Sequence, residues 1–210
     1  MRLMIATLVL TSCATAPTPA PEPGPRGLHA NEHGDVARTH DDMATEATRV
    51  PDDSGPGGMS LHWVRAWDTG TEHERIARMH RSKAAQLEAA YAEACGDRPL
   101  GVVSISPLQR YAIGGWNTAT GVKLFLSSTA GDPDRLLADL KCHRAWMMLA
   151  PAGMETCPLD LPGLVLDAKG DTDGISVSLT VRDPKLLPEL QRRAAHDLEM
   201  GATLQAQRAR

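Results

Sequence analysis

The chain has 210 residues, a formal net charge of -4 at pH 7, 42% hydrophobic and 23% charged residues. That suffices for one globular domain of ordinary size, and an acidic balance without a basic patch carrying interleaved aromatics argues against nucleic acid as a partner. Aromatic residues are only 3% of the chain, so the core has to be aliphatic, and no apolar run reaches the roughly 20 residues that span a bilayer.

The N-terminus opens on Arg2, a short positive region, followed by an apolar stretch from Leu3 to Leu10. It is too short for a membrane span and reads as a targeting segment. It ends in Leu10-Thr11-Ser12-Cys13. This sequence resembles the lipobox of bacterial lipoproteins: Leu, a small or hydroxyl residue, a small residue, then Cys. The resemblance covers the first thirteen residues only. It implies removal of residues 1–12 as a signal peptide, a diacylglycerol thioether on Cys13 and acylation of the new N-terminus. Two or more acyl chains anchor stably where one does not. In Gram-negative members of the family, Asp after the lipidated Cys retains the protein at the inner membrane. Ala14 stands there instead, which implies the outer membrane in such a host.

Residues 13–60 read as a lipidated Cys and a flexible tether. Ala14 to Pro25 alternates Pro with small residues, the composition of a polyproline-type spacer. Residues 26–60 are polar, with a weak helical pattern over Asp35 to Val50 whose apolar face is poor, and a break at Asp52 to Gly58. The tether is expected to be dispensable for folding. A single domain is expected over 61–200, with a polar, frayed tail over 201–210.

Within that domain the first element is a helix from about Thr71 to Ala94. It has capping-box spacing at Thr71 and Glu74, an apolar stripe through Ile76, Met79, Ala84, Leu87, Tyr91 and Ala94, and a stop at Gly96-Asp97. Gly101 to Ser106 reads as a short strand closed by Pro107, and Tyr111 to Gly114 as a possible second one. Gly121 to Ser128 is a better strand, and Asp132-Pro133 opens a helix to about Leu149. Leu164 to Ala168 and Ile175 to Val181 flank a hairpin turn, and Asp183-Pro184 opens a last helix to about Leu198. The stretches from Gly121 and from Gly174 echo each other: a turn glycine, an alternating strand, Asp-Pro, then a leucine-rich helix. The expected fold is α+β: an N-terminal helix followed by ββα-ββα, an antiparallel sheet with helices packed on one face.

Three cysteines remain after Cys13: Cys95, Cys142 and Cys157. An exported protein permits disulfides. The favoured bond is Cys142–Cys157, clamping the Pro-rich loop that leaves the helix, with Cys95 the rival partner. A second reading is a soft-metal site, because Cys142, His143, Met147, Met148, Met154 and Cys157 lie close in sequence and supply the donors that Cu(I) prefers. Its proposed ligands are Cys142, His143, Met147 and Cys157, although methionine at helical spacing more often fills a core. His73 and His80, two turns apart on the first helix, are too distant for one ion unless a third element comes between them. His29, His33 and His40 fall in the extension and do not by themselves define a site. The serines lack a nucleophile-elbow context, and Asp171 and Asp173 sit in a tight hairpin turn without the full calcium-loop series.

The functional expectation is a membrane-tethered envelope lipoprotein with a non-catalytic binding or structural role and no cofactor. Its partners would be the membrane, through the lipid, and an envelope protein or the cell wall. The alternative is a periplasmic protein handling a soft, copper-like metal through the Cys142–Cys157 region.

Overall fold

The structure, a computed structural model, describes residues 27–49, 61–149, 153–171 and 174–208. The signal segment 1–12, Cys13, the whole Pro-rich stretch 14–25 and the tip of the hairpin turn lie outside the described residues.

Four helices precede the sheet among the described residues, the first two of them long. Helix α1 spans Ala30–Thr48 and α2 spans Leu61–Cys95, so the flexible reading of 13–60 is corrected over α1, and α2 begins well before Thr71. The helices form an antiparallel hairpin. Its seam is Ala30, His33, Ala37, His40 and Ala44 on one side and Gly70, His73, Ala77, His80, Ala84 and Leu87 on the other. Both rows alternate three- and four-residue steps, the spacing that keeps a side-chain row facing a partner helix. Alanine and glycine carry so little apolar surface that hydrophobicity alone does not reveal this row. The entry to α1 is fixed by Glu32, whose carboxylate accepts from the His29 backbone N–H at 2.7 Å. The hairpin docks on the rest of the chain through Ala30, Leu87 and Met148, and Ala30 donates its N–H to the Met148 carbonyl at 2.9 Å.

Residues expected as a strand at 101–106 instead form part of a short helix, α3 (Leu100–Val103), and the turn into α4 (Pro107–Tyr111). Pro107 takes the first turn of α4, where a missing N–H costs nothing. Val103 and Leu108 are buried there. A β-branched run is a strand only where a neighbour can pair with it, and helix packing decides here.

The sheet is antiparallel and four-stranded, in the order β1-β2-β4-β3. Its strands are β1 (Ala112–Asn117), β2 (Gly121–Leu126), β3 (Leu164–Asp171) and β4 (Gly174–Val181). Helix α5 (Pro133–Met147) follows β2, with the Asp132 side chain accepting from the Arg135 N–H at 2.9 Å. After β4, Asp183 caps a single turn that leads into α6 (Leu187–Arg208). That helix runs on through the region expected as a frayed tail, past Gly201, which lies against the α4 backbone at Gln109.

The observed order is thus helix hairpin, two short helices, ββα, ββα, with α5 and α6 covering one face. Val122, Leu124 and Leu126 of β2 and Ile175, Val177 and Leu179 of β4 point into one aliphatic core with Leu136 and Leu140 of α5 and Leu190 of α6. The two halves meet along β2 and β4, where Leu124 faces Val177. A Cβ added at Gly121 would lie 1.9 Å from the Leu179 carbonyl oxygen, and one at Gly174 would lie 2.4 Å from that of Leu126. Gly174 stands to Leu126 as Gly121 stands to Leu179. The echo in the sequence is therefore an echo in space, with each glycine admitting the other half's backbone.

Candidate functional site

The disulfide joins Cys95 to Cys142, and Cys157 is a buried free thiol. This corrects the expected connectivity. The bond ties the end of α2 to the middle of α5, beside Val103, Tyr91 and Trp146. The loop after α5 is held differently. Arg193 of α6 is only 1% exposed; it donates to the Cys157 carbonyl at 2.9 Å and through Nε to Glu189 at 2.8 Å, with Asp160 at 3.5 Å. A buried guanidinium, with donors set in a fixed fork, holds the loop in place of the expected covalent bond.

The four proposed soft-metal ligands are only partly brought together. Cys142 has spent its sulfur in the disulfide. Met147 is buried in the main core and Met148 in the hairpin-docking cluster, while Met154 packs against the main core. His143 and Cys157 do meet, with Nε2 and Sγ 3.8 Å apart. The His143 Nδ1 lies 2.7 Å from the Val103 carbonyl. A carbonyl only accepts, so Nδ1 carries the proton and Nε2 presents its lone pair to the thiol. Burial lowers the His143 pKa and pushes the Cys157 thiol up to about 12. The pair is therefore neutral, and a protonated, buried thiol is neither a nucleophile nor a metal ligand at neutral pH. The cleft beside His143, lined by Val103, Pro107 and Arg110, has a cavity volume of about 20 Å³, room for about one water.

Asp197 of α6 completes this buried node. It accepts from the Gln109 amide at 2.8 Å, and its burial pushes its carboxyl up to about 6 against that opposing bond. A raised carboxyl pKa means the folded chain binds the proton more tightly than the unfolded chain does. The associated stability is present at acid pH and is lost as pH rises from the ordinary value of 3.8 through about 6. Asp197→Asn removes this dependence. Its unfolding free energy relative to the unsubstituted chain is expected to rise by about 2 kcal/mol between pH 4.5 and pH 7.5. Urea titrations of both proteins at the two pH values check this. A constant difference contradicts the assignment.

The second cluster lies in the α1–α2 seam. His33 Nδ1 is 2.8 Å from His80 Nδ1, and His40 Nδ1 is 2.8 Å from His73 Nδ1. The His40 and His80 rings stack at 6.5 Å, so the four rings form one column. His33 is 7% exposed, and its Nε2 is buried with no hydrogen-bond partner. A polar atom so placed costs about 1–3 kcal/mol, so packing alone does not account for a histidine at this position. Burial, then the neighbouring His80, lowers the pKa of His33; burial and His40 do the same for His80. No family model, curated protein or solved structure matches this chain. Both clusters therefore rest on their own geometry. The seam was hidden in the sequence because His33 and His40 lay in a stretch read as tether. The available signal was the seven-residue step between His33 and His40, repeated between His73 and His80.

Proposed function

We propose that the chain is a lipid-anchored lipoprotein of a bacterial envelope, attached through Cys13 and presenting an α+β domain for a non-catalytic binding or structural role. The observation that carries this reading is Leu10-Thr11-Ser12-Cys13 behind Arg2 and an apolar segment. With Ala14 after the cysteine, the outer membrane is the destination in a Gram-negative host. The Cys95–Cys142 bond supports export, because such bonds persist in oxidising compartments and are rare in the cytosol. No helix among the described residues is long and apolar enough to cross a membrane; in this reading attachment rests on the lipid. The soft-metal alternative draws no support from Cys142 and Cys157, one oxidised and the other buried and protonated.

Expression of the full precursor in a bacterial host tests the proposal. The mature protein is expected in the detergent-soluble membrane fraction, with the intact mass of a chain beginning at Cys13 plus acyl groups. Cys13→Ser is expected to abolish both. A Cys13→Ser protein that stays membrane-bound with an unchanged lipid mass rules the anchor out.

A further inference from the structure

The helix hairpin brings together four imidazoles that the chain separates widely. His33 faces His80 and His40 faces His73, each pair with Nδ1 atoms 2.8 Å apart, and the Ala37 and Ala77 layer lies between the pairs. Two ring nitrogens at this separation share either a proton or an ion. With metal–nitrogen bonds of about 2.0–2.1 Å, an ion bound to both would see them at an angle of roughly 90°, and a small ring rotation opens this toward the tetrahedral value. We propose that each of the two cross-helix pairs, His33–His80 and His40–His73, is a clamp for one divalent transition-metal ion of the class that prefers imidazole, such as Zn(II), Ni(II) or Cu(II).

Two observations favour an ion over a purely structural role. The arrangement occurs twice, one heptad apart, in a seam otherwise built from alanine, glycine and leucine. His40, His73 and His80 are only half-buried, so an ion has a path from solvent and water can fill its remaining positions. Glu32 near His33 is bonded to His29, Glu72 near His40 and His73 is paired with Arg75, and Lys83 near His33 opposes a cation, so the case rests on the nitrogen geometry and not on local charge. Among the described residues no three His, Cys, Asp or Glu side chains converge on one point. Each ion therefore takes two protein ligands and keeps open positions, unlike a closed structural zinc site. The donors are all imidazole nitrogens, which selects against Mg(II) and Ca(II), which take oxygen, and Cu(I), which favours sulfur.

Calorimetric titration of the mature full chain with Zn(II) alone tests the proposal. Two equivalents are expected, with a rise in melting temperature that chelation reverses. His33→Gln and His80→Gln should each weaken one site on the order of a hundredfold, the advantage of a second ligand held in place. His40→Gln and His73→Gln should do the same to the other site, and His29→Gln, outside the seam, should leave both intact. No binding to the unsubstituted chain, binding unchanged in all four seam variants, or one ion that needs all four histidines overturns the proposal. Electron paramagnetic resonance of the unsubstituted chain loaded with Cu(II) needs no variant to fold. Coupling to two imidazole nitrogens per copper is expected, and a spectrum without imidazole nitrogen also overturns it. These readouts are independent of Cys13, so the lipid anchor and the clamps stand or fall separately.

Discussion

Replacing Cys95 and Cys142 by alanine is expected to lower the unfolding free energy by about 4 kcal/mol. The bond links residues 47 apart in sequence, and a cross-link over a loop of that length removes roughly this much entropy from the unfolded chain. The effect should not be spread evenly. The α1–α2 hairpin is seamed with alanine and histidine, so it buries little apolar surface between its own helices. Among the described residues its buried apolar contacts with the body are the Ala30–Leu87–Met148 contact and the Cys95–Cys142–Val103 contact. Losing the second leaves the hairpin held by the first. Amide exchange in α1 and α2 should therefore quicken before exchange in β2 and β4, as expected of an element at the low-stability end of a domain. Urea titration should show a lower midpoint for the double variant and for the unsubstituted chain in reductant, but not for Cys157→Ala in oxidant beyond the cost of its own cavity. An unchanged midpoint on reduction contradicts this role.

How much of this arrangement was legible follows from the kind of signal each part leaves. Strands β2 and β4 alternate apolar and polar residues and are bounded by glycine and Asp-Pro, so the sheet and the two ββα units could be read directly. The α1–α2 seam carries no such contrast: Ala37, Ala44 and Ala77 are buried, but alanine is equally at home on an exposed face. Its helices are recognisable only by register, and register requires knowing that a partner is present. The strand expected at residues 101–106 failed for the converse reason. Its composition was right, but no neighbouring strand pairs with it, and Val103 was needed against α5. The cysteine pairing was out of reach because three thiols allow three bonds, and the choice depends on where α2 ends relative to α5. The loop after α5 did need tying down, as its prolines suggested. Nothing local pointed to Arg193, one of several arginines in a helix that reads as a polar surface.

That arginine gives the other large effect. Arg193→Ala is expected to cost about 3–5 kcal/mol, the range for removing one partner of a buried charge network. The side chain reaches across from α6 to the turn at Pro158–Asp160, where Leu159 and Leu161 are fully buried in the main core. Truncation takes the hydrogen bond from the Cys157 carbonyl and the positive charge from beside buried Asp160 and half-buried Glu189. Arg193→Lys should recover only part of the loss. An ammonium is a point charge on a flexible stem and cannot present Nε to Glu189 and Nη1 to Cys157 at once. Arg193→Met separates the polar contacts from packing: it refills most of the volume but donates nothing to the Cys157 carbonyl or to Glu189, whose carboxylate keeps its bonds from Arg192. Its deficit should therefore stay close to that of Arg193→Ala, whereas a deficit due to lost volume alone would largely disappear. Urea titrations of the three variants distinguish these cases. Equal stability of Arg193→Lys and the unsubstituted chain would show that the fork geometry is dispensable. An Arg193→Met protein as stable as the unsubstituted chain would show that Arg193 acts as filler.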